Sequence, residues 1–250
     1  MNPDISIVIP VYNEAAILEA SVNELSAALA RRSASFEIIV AENGSTDGTK
    51  ALADDLARRS AHVRVVTSPE PNYGAALKHG ILAARGQLVF CDEIDLCDMD
   101  FHARAFDLLA TNGAELVVGS KVARGANDHR PLLRRGGTLA YTTLLRVLVG
   151  FRGTDTHGPK AFRRAALLPV IERCVVDRDV FASEFVIRAG RAELRVVEIP
   201  IRVAEKRPPS VHLLRRIPNV LAKVWKLRRA LADSARGVRY SAAPSPRRPP

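Results

Sequence analysis

The chain has 250 residues, 47% of them apolar, 26% charged and 5% aromatic, with a formal net charge of +10. That length and apolar share suit one domain with a sizeable core. No run approaches the ~18 apolar residues of a membrane-spanning helix. There is no leader-like N-terminus, and Cys91, Cys97 and Cys174 have neither metal-site nor disulfide spacing, so a cytoplasmic protein is expected.

In chain order, a first strand is expected at 5–10, ending in Val11-Tyr12-Asn13-Glu14 and followed by a helix carrying Ile17, Val22, Leu25 and Leu29. A second strand at 36–40 runs into Ala41-Glu42-Asn43-Gly44-Ser45-Thr46-Asp47-Gly48-Thr49, then a helix with Leu52 and Leu56. Asp47 suits a helix cap better than a ligand. A third strand at 63–66 precedes Asn72-Tyr73-Gly74 and a helix at 75–84, stopped by Gly86. The fourth, at 87–91, stops abruptly in Asp92, Glu93 and Asp95. Strand and helix thus alternate as they do around a parallel sheet. Three carboxylates at a strand's carboxyl end form either a solvated acidic turn or a site for a cation between them. Asp98 and Asp100 suit caps of a helix beginning near Phe101.

The second half continues with a strand at 114–120 and Lys121. A charged, turn-rich loop follows at 124–131, a candidate lid. An apolar helix is expected at 132–149, interrupted by Gly136-Gly137, then Gly153-Thr154-Asp155-Thr156-His157-Gly158-Pro159-Lys160. Glu184 falls in the first turn of a helix, and the last strand lies at 194–201. The charge is uneven: residues 206–250 hold twelve Lys and Arg against one acid, Asp233, while residues 1–205 sum to −1. Residues 211–231 combine Leu213, Leu214, Ile217, Val220, Leu221, Val224, Trp225 and Leu227 with six Lys or Arg. That is the pattern of a basic amphipathic helix lying on an anionic membrane surface. Residues 232–250 read as a disordered basic tail. Few aromatics and no nucleic-acid motif argue against a nucleic-acid partner.

Four segments in this order are similar to family 2 glycosyltransferases: Ile-Val-Ile-Pro-Val-Tyr-Asn-Glu (7–14), Glu-Ile-Ile-Val-Ala-Glu-Asn-Gly-Ser-Thr-Asp-Gly-Thr (37–49), Asn-Tyr-Gly-Ala-Ala-Leu-Lys-His-Gly (72–80) and Gly-Gln-Leu-Val-Phe-Cys-Asp-Glu-Ile-Asp (86–95). The resemblance spans roughly residues 4–210 and is nearest to the synthases of dolichyl- and polyprenyl-phosphate mannose or glucose. It implies an α/β fold of GT-A (Rossmann-like) type, a mostly parallel sheet flanked by helices, over 1–210. The basic helix and the tail would follow.

The resemblance also implies roles. Pro10, Tyr12, Asn13, Glu14, Glu42, Asn43, Gly44 and Ser45 would hold the nucleotide of a nucleotide-diphosphate sugar, with Lys78 near the diphosphate. Glu42 and Asn43 stand where the family usually has two aspartates. Alignment on Asp95-Leu96 makes Glu93 and Asp95 the ligands of Mg2+ or Mn2+, whereas alignment on the strand end makes Asp92 the first ligand. Residues 153–164 resemble a segment near the sugar and acceptor phosphate, with Asp155, His157 and Lys160 as candidates. Arg207 and Ser210 match a closing segment that holds phosphate. A hydroxyl acceptor would require a general base, Glu184 or Asp155. A lipid phosphate would not, and it would place the protein peripherally on the inner face of the cell membrane. A catalytically weak nucleotide-sugar-binding scaffold is the alternative of another class.

Overall fold

The near-continuous apolar run Ile-Ser-Ile-Val-Ile-Pro-Val is what a strand shows when both faces of its sheet are covered. It forms β1 (Ile5–Val11), buried throughout. The computed structural model describes residues 2–32, 34–95, 97–175, 180–203 and 217–237. In it β1 pairs in parallel with β2 (Phe36–Asn43) and with β4 (Leu88–Cys91), and β2 pairs in parallel with β3 (Val63–Ser68). Beyond β4 lie β7 (Lys160–Arg163), β5 (Leu116–Ser120) and β8 (Val196–Pro200), giving the order β3-β2-β1-β4-β7-β5-β8.

Alternate residues feed two cores, as the two-residue period of a strand demands. Ile7 and Ile9 pack with α1 (Leu18–Ala30), α2 (Thr49–Arg59) and α4 (Met99–Thr111). Val8 faces the opposite layer, made by α3 (Tyr73–Ala83), α5 (Leu132–Val149), α6 (Arg164–Glu172), α7 (Phe181–Arg191) and α8 (Ile217–Gly237). Asn72 caps α3, and Asp98 caps α4 by accepting from the N–H groups of Asp100 and Phe101.

Four features depart from the sequence reading. β7 is a strand inside the sheet, antiparallel to both β4 and β5; four residues are too few to display a period, and its neighbours impose the extended form. The loop at 124–131 contains β6 (Asn127–Asp128), paired in parallel with β9 (Arg202–Val203). Asp128 there also holds the Arg130 guanidinium, so the candidate lid is tied down. α5 runs unbroken through Gly136-Gly137. Finally, α8 continues to Gly237, into the stretch read as tail, and its apolar residues do not all face outward. Val224, Leu227 and Leu231 are buried in the core beside α5 and α7, leaving Leu221 and Trp225 exposed. No helix among the described residues is long and apolar enough to cross a membrane.

Candidate active site

The topology itself gathers the candidates. β1, β2, β3 and β4 run in parallel, so the loops after them leave the same sheet edge, and the order switches direction between β1 and β4, where open α/β sheets form their ligand crevice. β5 and β8 end at that edge too, and antiparallel β7 begins there, with Lys160 opposite Cys91 on one side and Val118 on the other.

The loops after β1 and β2 are stitched together. Asn13, at a left-handed φ of 55°, accepts from the Thr46 N–H at 2.8 Å, and its own N–H donates to Ser45 Oγ at 3.0 Å. The Glu14 N–H donates to Thr49 Oγ1 at 2.8 Å. Asp47 accepts from the N–H groups of Ala15 and Thr49, so it is a brace between the loops as well as a turn residue. Gly44 has φ 70°, and a Cβ there would lie 3.1 Å from the Pro69 carbonyl oxygen, so only glycine fits without strain. Pro10 is buried within β1, while Tyr12 is 43% exposed at the loop's rim. Asn43 Oδ1 accepts from the Asn72 N–H at 2.6 Å. Glu42, 1% exposed, accepts from the Ser45 N–H with Oε1, and its Oε2 is buried with no partner among the described residues.

The acidic segment is organised by a residue that sequence reasoning did not single out. His102, closing the first turn of α4, places Nε2 2.5 Å from Asp92 Oδ2, with both side chains buried. Asp92 Oδ1 is likewise buried and without a partner among the described residues. Glu93 lies among like and unlike charges: burial raises its pKa, Asp95 and Asp92 add to the rise, and Lys121 and Lys160 oppose it. Tyr73, 38% exposed, stands beside these carboxylates, and their negative charge opposes ionisation of its hydroxyl, which remains a donor there.

On the other side, Asp155 is 1% exposed and accepts from the N–H groups of His157 at 2.9 Å and Lys121 at 3.2 Å. Burial pushes its pKa up, but the Lys121 charge and these two N–H groups win, and the net shift is downward. Lys160 is buried, and burial lowers its pKa against the pull of Cys91, Asp155 and Glu93; its Nζ donates to the Gly158 carbonyl. Burial pushes the neighbouring Cys91 thiol up to about 12, so it is inert rather than nucleophilic. Gly158 lies so close to the Gly119 backbone that a Cβ would collide with it. Glu198 of β8 anchors the segment through the Thr154 N–H and hydroxyl. Tyr141 of α5 stands edge-on to the His157 ring at 5.2 Å.

Glu93, Asp155, His157, Lys160 and Lys121 therefore share one neighbourhood, and Asp92 and Asp95 adjoin it. Lys78 and Glu184 lie elsewhere. Lys78 Nζ donates to the Cys174 carbonyl at 2.6 Å, so the lysine expected near the diphosphate is engaged with the chain before α7. Glu184 is fully buried, paired with the Arg188 guanidinium at 2.6 Å and accepting from the Val175 N–H. Arg207 and Ser210 lie outside the described residues. His102, Lys121, Tyr141 and Glu198 were missed because their roles depend on contacts between distant elements. Only Lys121, at a strand's carboxyl end, carried a sequence signal.

This arrangement matches a known family. The pattern described as Glycosyl transferase family 2 fits residues 6–169, and the chain belongs to that family. It is 30% identical over 233 residues to Glycosyltransferase AglD of Haloferax volcanii, covering 90% of this chain but only 37% of that protein. The Dolichyl-phosphate hexose transferase of the same organism is 29% identical over 205 residues, covering 81% of this chain and 84% of that one. Glucosyl-3-phosphoglycerate synthase from Mycobacterium tuberculosis, solved in complex with Mn2+, uridine-diphosphate and glucosyl-3-phosphoglycerate, superposes with a TM-score of 0.62 at 22% identity. The match covers 90% of this chain and 80% of that one, and it identifies the fold as GT-A.

Proposed function

We propose that this glycosyltransferase moves a hexose from a nucleotide-diphosphate sugar to a lipid phosphate, with inversion at the anomeric carbon. The observation that carries the acceptor assignment is the state of the two expected bases. Glu184 is locked in a buried ion pair, and the pKa of Asp155 is held below its ordinary value. Neither is poised to take a proton from a hydroxyl near neutral pH. A phosphate acceptor arrives ionised, and Lys121 and Lys160 offer an anion positive charge close to the acidic segment, with the His157 ring beside them. An acceptor phosphate oxygen then attacks the anomeric carbon while the bond to the nucleoside diphosphate breaks. The protein's part is to align the two substrates and stabilise charge.

The donor would lie over the stitched β1 and β2 loops, where Glu42 Oε2 is a ready acceptor for a base N–H or a ribose hydroxyl. Among the described residues no three His, Cys, Asp or Glu side chains converge as a metal cage. Asp92 Oδ1, buried without a partner among the described residues, and the nearby carboxylates of Glu93 and Asp95 nonetheless offer the oxygen donors that a hard divalent cation takes. They would hold Mg2+ or Mn2+ with the donor diphosphate completing its shell. The ion's chemistry would be to neutralise charge on the departing diphosphate.

A hydroxyl acceptor is the second reading, with Asp155, buried beside Lys121 and the His157 loop, as the carboxylate that would serve as its base. The deciding experiment offers labelled UDP-, GDP- and dTDP-sugars with Mn2+ to the protein, together with a polyprenyl phosphate in detergent. Label extracted into organic solvent and released by mild acid supports the lipid-phosphate reading. Label transferred only to soluble sugars supports the second. Donor binding with no transfer to either would leave a scaffold.

A further inference from the structure

The outer face of α5 is not what a solvated helix presents. Leu132 is 78% exposed, Leu133 66%, Leu139 55% and Val147 76%. Gly136, Ala140 and Thr143, also exposed, fill the space between them, and the helix contains no acidic residue. Isolated exposed leucines are ordinary, but an apolar stripe along a whole helix is not. Its charged residues are all cations: Arg134, Arg135 and Arg146. Beside it in the same core layer, α8 exposes Leu221 and Trp225, with the Arg228 guanidinium 5.2 Å from the indole centroid and Lys226 and Arg229 also exposed. Arg191 binds the two helices together by donating to the carbonyls of Val149 and Leu231. An apolar stripe edged by Arg, Lys and Trp is complementary to an anionic bilayer surface, with hydrocarbon below and phosphate at its rim.

The inner face of the same helix builds the acceptor side. The Tyr141 hydroxyl meets Ser183 Oγ at 2.9 Å, Ser183 Oγ meets Thr156 Oγ1 at 2.8 Å, and Thr142 donates to the Thr154 carbonyl. One helix thus touches segment 154–157 with one face and turns a leucine-rich stripe outward with the other.

We infer that α5, flanked by Trp225 of α8, is the surface by which this protein lies on an anionic membrane, and that its placement brings a lipid phosphate to the Asp155–Lys160 segment while the lipid's tail stays in the bilayer. The purpose of this arrangement rests on the lipid-phosphate reading; the binding surface itself does not. It replaces the sequence-based picture in which the C-terminal helix alone lay on the membrane.

The test floats the full chain with phosphatidylcholine vesicles, with and without phosphatidylglycerol. Wild type is expected to float with anionic vesicles and to be released by salt. The double variant Leu139→Glu/Val147→Glu is expected to lose vesicle affinity by about tenfold or more. It should keep its melting temperature and donor binding, since both side chains project outward. Trp225→Ala should lose less, and Leu82→Glu, exposed on α3, nothing. A double variant that floats like wild type overturns the inference while leaving the acceptor reading intact. So does a wild type that ignores vesicles but glycosylates detergent-dissolved polyprenyl phosphate. A dimer in sedimentation that the double variant dissociates, without vesicle binding, gives the face to a second copy and overturns it too. Vesicle binding by α5 with transfer only to hydroxyls would sink the acceptor reading and support the surface.

Discussion

Glu42 and Asp92, on the donor side, each keep one buried carboxylate oxygen with no partner among the described residues. Asp155 and Glu198, on the proposed acceptor side, and Glu184 outside it have theirs committed to N–H groups, a hydroxyl or a guanidinium. An unpaired buried oxygen carries a desolvation cost that a ligand's donor or cation would relieve. A satisfied one is part of the framework. In the proposed function, the donor half would present negative groups for a ligand to complete. In that same reading the acceptor half would use Asp155 and Glu198 to hold Lys121 and the His157 loop in place for an anion.

Substitutions can break this contrast. The largest expected effect is on the framework side: Glu184→Ala removes the carboxylate that meets the buried Arg188 guanidinium at 2.6 Å and should lower stability by about 3–5 kcal/mol in urea unfolding. If Glu184 were instead a catalytic base, Glu184→Gln would abolish transfer while stability stayed near wild type. On the ligand side, Asp95→Ala should leave the melting temperature almost unchanged and reduce transfer by about 10²-fold or more. Loss of the metal-dependent shift in melting temperature with the donor would accompany it.

Smaller effects sharpen the boundary. His102→Ala removes the partner of Asp92 Oδ2 and should cost about 1–3 kcal/mol, with weaker Mn2+ binding by titration calorimetry. His102→Gln should recover part of both. The smallest effect concerns Asp155, whose pKa is lowered from 3.8 in the folded protein. A depressed carboxylate stabilises the fold above its unfolded pKa, and that contribution disappears as pH falls through the folded value. Urea midpoints measured from pH 6 down to about 2.5 should drop less steeply for Asp155→Asn than for wild type below about pH 4. An identical acid limb in both would mean that Asp155 is not held ionised.

How much was legible in the sequence follows the same division. β1 to β5 and β8 announced themselves by apolar runs ending in polar turns, and the donor loops and acidic segment sit directly at those ends, so local pattern sufficed. β7 is extended only because β4 and β5 flank it. The engagement of Lys78 with Cys174 and of Glu184 with Arg188 depends on how α3, α6 and α7 pack, which no periodicity reveals. The basic amphipathic segment was visible, but charge and apolar spacing do not say which surface its apolar side meets. Val224, Leu227 and Leu231 met the protein.

That inward stripe bears on where the gene can be cut. The recognisable family pattern stops at residue 169, yet the core it belongs to is closed by a side chain as distant as Leu231, under the clamp of Arg191. A fragment trimmed to the recognisable part would open a hydrophobic trench along α5, and a protease that severed the chain ahead of α8 would do the same. For expression, fusion and evolutionary shuffling alike, the smallest portable unit is therefore set by α8 rather than by the motif-bearing half.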